Sequence, residues 1–176
     1  MFEAIIKSPK TTGAISRYSK SSIRDIFKEI DRSQTKSIIE FGPGDGNITK
    51  LILDQLSPDG QLICFEINKK DFESHLQKIT DPRLTIYYLS CEQIDRYIEQ
   101  ASVDTIISTI PMSLIEKTTV ANIIQKSYQA LKPGGTFITG QYSSYAKQFL
   151  NPHFISITQR RHLRNLPPVC IITATK

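Results

Sequence analysis

Ser37-Ile38-Ile39-Glu40-Phe41-Gly42-Pro43-Gly44-Asp45-Gly46-Asn47 decides the architecture of this chain. Its first five residues are mostly β-branched or aromatic and read as a strand. Glycines then stand at every second position, and Ile48, Leu51, Ile52 and Leu56 follow at helical spacing. A strand running through glycines into a helix brings bare backbone close to a ligand. The amides at the helix start favour that ligand's polar or anionic groups.

The spacing narrows the ligand. A dinucleotide fingerprint reads GxGxxG and holds a pyrophosphate; here the pattern is GxGxG, with Glu40 two residues ahead of the first glycine. A P-loop needs Gly-Lys-Ser/Thr at its close, and Lys50 is displaced from that position. A carboxylate at the strand end suits a cationic group, such as the amino-acid half of S-adenosylmethionine. The alternative is a tight strand-to-helix turn without a ligand.

Working outward, strand-like and helix-like segments alternate. Strands are expected at 61–67, 84–89, 103–108 and 136–140, with helices at 72–79, 92–101 and 112–131 between them. Asp81-Pro82 and Lys132-Pro133-Gly134-Gly135 read as a break and a turn. Residues 154–161 and 169–174 read as a closing pair of strands around a Pro-rich connection. At the other end, residues 1–20 form an irregular lead-in. A helix beginning near Ser22 then sets Ile23, Phe27 and Ile30 on one face. The expectation is one α/β domain over 1–176, a Rossmann-like doubly wound, mostly parallel seven-stranded sheet with an antiparallel C-terminal strand. The segment 1–31 would cover the substrate side.

Composition is that of an ordinary soluble protein, and no apolar run approaches the roughly 18 residues of a membrane span. Met1–Ile6 is too short and too acidic for a signal-peptide core. Cys64, Cys91 and Cys170 are scattered, which argues against a disulfide framework or a zinc site and for a reducing, cytoplasmic compartment. The net charge of +5 gathers at the ends: residues 1–30 carry a surplus of three and residues 151–176 a surplus of four. Such a rim suits nucleic acid or an acidic lipid surface, or is simply a solvated basic face.

Other candidates follow from strand ends, where ligands of this architecture bind. Glu66, with Ile67 after it, closes the second strand, and its carboxylate is placed to accept both ribose hydroxyls of an adenosine group. Cys91 and Glu92 stand where an adenine ring would lie, although Ser90 there is also an ordinary helix N-cap. Ser108, Thr109, Ile110 and Pro111 close the fourth strand and face the substrate. The residue after Pro111 is Met112, so an aromatic to stack on a flipped base is missing. Tyr18, Ser108 and Thr109 are candidates to help deprotonate an attacking amine. His75, His153 and His162 read as surface residues, and no metal site is expected.

The glycine loop, Glu66, Leu131-Lys132-Pro133-Gly134-Gly135 and the late strand pair resemble class I S-adenosylmethionine-dependent methyltransferases. Thr12-Gly13-Ala14-Ile15 with Ser21-Ser22, and Asn165-Leu166-Pro167-Pro168, are similar to segments of bacterial phospholipid N-methyltransferases, whose Gly-Leu-Pro loop Thr109-Ile110-Pro111 approximates. The resemblance implies S-adenosylmethionine as cofactor and S-adenosylhomocysteine as product. Glu40, Phe41, Gly42, Pro43, Gly44, Gly46 and Asn47 would form the cofactor loop. It further implies stepwise methylation of phosphatidylethanolamine at the inner membrane face, with peripheral contact to anionic lipid through Lys7, Lys10, Arg160, Arg161 and Arg164. The alternatives are an rRNA adenine-type or small-molecule methyltransferase, or a cofactor-binding module without activity.

Overall fold

A computed structural model describes residues 35–163 and 168–176, together with Ile26, Lys28 and Ile30. Tyr18, the segment around Thr12–Ile15, and Arg164 to Pro167 lie outside the described residues.

Seven strands form one sheet: β1 (Ser37–Phe41), β2 (Gln61–Phe65), β3 (Leu84–Tyr87), β4 (Val103–Ser108), β5 (Leu131–Gln141), β6 (Ser156–His162) and β7 (Val169–Thr175). Their order is β3-β2-β1-β4-β5-β7-β6. The first five are parallel; β7 runs antiparallel to β5, and β6 antiparallel to β7. This is the expected Rossmann-like sheet. Helices α1 (Asn47–Leu53), α2 (Lys69–Leu76), α3 (Lys117–Ala130) and the short α4 (Lys147–Leu150) connect the strands.

Strands covered on both faces must be apolar on both. Ile39, Phe41, Phe65, Ile106 and Phe137 pack on one face with Val120, Ile123 and Ile124 of α3. Ile38, Leu62, Ile107 and Ile138 pack on the other with Ile48 and Ile52 of α1 and with Ile26 and Ile30. The chain reverses its direction of travel through the sheet between β1 and β4. That switch leaves a crevice at the carboxyl ends of these two strands, and the glycine loop sits there.

Several boundaries differ from the sequence expectation. The helix expected over 112–131 is a 3-10 turn at Met112–Leu114, an extended Ile115, then α3. Met112 is drawn fully into the core, and its N–H bonds the Gln141 side chain instead of continuing a helix. The helix expected over 92–101 is a 3-10 turn, Cys91–Arg96. The turn at Lys132–Gly135 is a bulge inside β5: Leu131 pairs with Val103 and Thr136 with Thr105, so the four residues between bow out. The Gly134 N–H and Gly135 carbonyl are tied to the Lys176 backbone. His75 is exposed, whereas His153 and His162 are half-buried, His153 lying 5.8 Å from the Tyr128 ring.

Candidate active site

β1 delivers Glu40 to its carboxyl end with 0% exposure. One oxygen, Oε2, accepts from Thr49 Oγ1 at 2.7 Å and from Cys64 Sγ at 3.4 Å. The other, Oε1, is buried with no partner. Burial pushes this carboxyl up to about 7, against the two donors that favour its charge. An unpartnered carboxylate oxygen out of water invites a cation or a donor. The sequence singled out Glu40 but neither helper. Thr49 lies within α1 and Cys64 opposite Glu40 in the β1–β2 register, and no local motif marks either.

The loop itself depends on left-handed backbone. Gly42 has φ +75° and Gly46 φ +79°, a region that costs other residues roughly 1–2 kcal/mol. A Cβ on Gly42 would stand 3.0 Å from Ile110 Cγ2, and one on Gly46 2.6 Å from Ile79 Cδ1. Both glycines are therefore called for by dihedral, and a side chain at either would also make Ile110 or Ile79 shift.

Glu66 follows β2 at 5% exposure and reaches back to the loop. Its Oε2 accepts the Gly44 N–H at 3.1 Å and its Oε1 the Asn68 N–H at 2.8 Å. Burial raises its pKa, and amide donors from Asn68, Gly44 and Ile67 oppose the rise. Thus Glu66 braces the glycine loop from just beyond the carboxyl end of β2.

The remaining cofactor candidates divide. Phe41 and Pro43 are buried, and Phe41 belongs to the core. Asn47 is exposed and turned onto Asp45, its Nδ2 donating to Oδ2 at 2.7 Å. Ile67 is half-buried beside Glu66. Cys91 packs in the core, where burial pushes its thiol up to about 12. Glu92 is half-buried, and its N–H donates to Ser90 Oγ at 3.3 Å, so Ser90 does cap this turn. Sequence reading missed the aromatic wall next to it. Tyr87 and Tyr97 lie 4.6 Å apart, and Phe65 lies 5.4 Å from Tyr87.

Across the crevice, the segment after β4 is bonded directly to the glycine loop. Thr109 Oγ1 donates to the Gly42 carbonyl at 2.8 Å, and the Thr109 N–H donates to the Phe41 carbonyl at 3.0 Å. Its hydroxyl is thereby engaged in holding two loops together. Ser108 is fully buried and its Oγ has no partner; Ile110 and Pro111 are half-buried. Among the described residues, no group of three or more His, Cys, Asp or Glu is placed to hold a metal ion.

The methyltransferase-domain family matches residues 38–135, more than half of the chain and the whole run from β1 into β5. The chain belongs to the S-adenosylmethionine-dependent methyltransferases. This methyltransferase is 30% identical over 159 residues to an ornithine lipid N-methyltransferase of Singulisphaera acidiphila, an alignment covering 85% of the chain and 79% of that protein. It is 39% identical over 78 residues to ribosomal RNA small subunit methyltransferase H of Polynucleobacter necessarius, but spans only 24% of that protein's length. Among solved structures, the N-methyltransferase NodS from Bradyrhizobium japonicum, in complex with S-adenosylhomocysteine, superposes with TM-score 0.71. It is 11% identical and matches over 99% of this chain and 95% of its own, a likeness of fold.

Proposed function

We propose that this methyltransferase acts on the amine of a lipid head group, of the phosphatidylethanolamine or ornithine-lipid kind. The observation that carries the reading is the similarity to the ornithine lipid enzyme along 85% of the chain. The ribosomal RNA relative aligns over only 43% of the chain, and Met112 is buried where a base-stacking aromatic would be needed.

In this reading the unpartnered Oε1 of Glu40 faces the ammonium end of S-adenosylmethionine, with the backbone of Gly42, Gly44 and Gly46 alongside. Glu66 takes the ribose hydroxyls on the lone pairs that its amide bonds leave open. Ile67, Cys91 and Glu92 border the adenine, with Phe41, Pro43 and Asn47 shaping the loop. When bound, the cofactor supplies a sulfonium methyl group open to in-line attack. Ser108, Thr109, Ile110 and Pro111 hold the attacking amine on that line and exclude water. Residues 108–114 contain no carboxylate or histidine, so this loop orients the amine and the hydroxyls of Ser108, Thr109 and Tyr18 are the groups proposed to assist its deprotonation. Tyr18 is assigned to the same side.

The rim around that loop fits a lipid surface. Leu114, Tyr142 and Leu163 follow the carboxyl-end side of β4, β5 and β6, and are 43%, 43% and 75% exposed. Arg160 and Arg161 are exposed at the same end of β6. Ile155, still more exposed, lies at the opposite end. No aspartate or glutamate occurs anywhere in residues 117–176, so nothing on this segment opposes anionic lipid. Each basic residue near such a surface contributes about 1 kcal/mol.

The test is transfer of labelled methyl to vesicles containing phosphatidylethanolamine, to vesicles containing ornithine lipid, and to ribosomal RNA. Label in either lipid is expected. Label in RNA with none in lipid would overturn the reading.

A further inference from the structure

We infer that Gln141 is the positioning residue of the acceptor loop, the side chain that sets Ile110–Met112 in place beside the glycine loop. The inference depends on the proposed reading that residues 108–111 face the acceptor.

Gln141 is the last residue of β5 and is 5% exposed. Its Nε2 donates to the Ile110 carbonyl at 2.9 Å and to Thr139 Oγ1 at 2.8 Å. Its Oε1 accepts the Met112 N–H at 3.3 Å. One amide group therefore serves the carbonyl before Pro111 and the N–H after it. Proline brings no N–H of its own, so this stretch is short of a donor at the point where it leaves β4. Buried backbone groups need partners, and a carboxamide carries a donor and an acceptor in one plane. An aspartate, a leucine or a methionine could serve at most one of the two.

The loop is clamped from opposite sides. On the cofactor side, Thr109 Oγ1 holds the Gly42 carbonyl, and Ile110 packs where a Gly42 side chain would be. On the β5 side there is Gln141, which bonds the acceptor loop and its own strand but not the glycine loop. Loosening the Gln141 clamp should therefore degrade amine placement while sparing the cofactor. Shape precision in this loop matters because methyl transfer needs nucleophile, methyl carbon and leaving sulfur in line.

The experiment compares wild type with Gln141→Met, of similar length and without the amide, and with Thr139→Val, which removes only the bond that steadies the amide. Melting temperature and S-adenosylhomocysteine affinity report folding and the cofactor site. Hydrogen exchange at the Met112 amide reports the loop, and kcat and KM for the amine acceptor report function. Gln141→Met is expected to keep S-adenosylhomocysteine affinity within about twofold and to speed Met112 exchange. It is expected to lower kcat/KM by roughly ten- to a hundredfold, the usual range for leaving buried hydrogen-bonding groups unpaired. Thr139→Val should fall between. Unchanged kcat/KM, or a loss matched by an equal loss of cofactor affinity, would overturn the inference. A wild type inactive on lipid amines would sink the lipid reading instead. In that case exchange at Met112 decides Gln141 alone, and unchanged exchange overturns it.

Discussion

The β1–β2–β3 half of the sheet and the β4–β5–β7–β6 half treat their polar groups in opposite ways. At the carboxyl ends of the first, buried carboxylates are held by donors from neighbouring elements. Glu40 is bonded by Thr49 and Cys64, and Glu66 by the amides of Gly44 and Asn68. At the ends of the second, the buried groups are neutral hydroxyls and one carboxamide: Ser108, Thr109, Thr139 and Gln141. The exposed rim there is apolar and basic. Charge bound in a low-dielectric crevice selects a cationic or hydroxyl-bearing ligand. Neutral groups fix a shape and would leave the proposed amine acceptor free of a competing ion pair. Thr109, reaching to the Gly42 carbonyl, ties the loops at the carboxyl ends of the two halves together.

The contrast can be broken most severely at Glu66. Glu66→Ala removes the brace on Gly44 together with the proposed ribose acceptor. At about 1.5–2 kcal/mol for each of the two ribose hydrogen bonds to a charged group, S-adenosylhomocysteine affinity should fall by roughly a hundred- to a thousandfold in calorimetry. The amine KM at saturating cofactor should hold. Loss of both in equal measure would show that the halves are not separable.

Glu40 sharpens the contrast in the other direction. Its native pKa, about 7, lies above the ordinary value of 4.5 because of burial. The protonated form is thus favoured by folding. That stabilisation is fully present below the unfolded value and is lost as pH rises through about 7. Glu40→Gln should therefore raise the melting temperature of the ligand-free protein at pH 8, by up to about 3 kcal/mol in stability, and leave it little changed at pH 4. The same change should weaken cofactor binding about tenfold at pH 8, a lost charge-assisted bond. Wild-type affinity should decline below pH 7 while that of Glu40→Gln stays flat.

The effect most easily screened away belongs to the rim. Replacing Arg160 and Arg161 together by Ala should reduce binding to anionic vesicles by about 2 kcal/mol, some thirtyfold. Sedimentation should show the loss shrinking as salt is raised. Cofactor affinity should not move. Vesicle binding unchanged by this pair would overturn the proposed lipid contact through this rim.

Much of this was legible in the chain itself because it depends on local periodicity. Runs such as Ser37–Phe41 and Val103–Ser108, apolar on both faces, announce a covered parallel sheet. Gly42, Gly44 and Gly46 announce the turn, since few other residues accept its dihedrals. The charge imbalance of the C-terminal third also needs only counting. Periodicity did not mark where helices stop. Residues 112–131 carry a helical pattern, yet Pro111, the burial of Met112 and its bond to Gln141 cut the first turn away from α3.

What only the tertiary structure decided is partnership. Glu40 is a strand-end acid in the sequence. It becomes a raised, half-satisfied carboxyl only because Thr49 and Cys64 arrive from α1 and β2. Thr109, read as a helper of proton transfer, also donates its hydroxyl to the Gly42 carbonyl, 67 residues away. Gln141, which carries no motif, bonds both sides of Pro111. A hydrogen bond depends on distance in space and on which groups have lost water, and neither follows from neighbours along the chain. The sequence alone therefore determined the sheet, the loop and the donor they serve; packing determined which side chains are free to act on a ligand and which are already bound to one another.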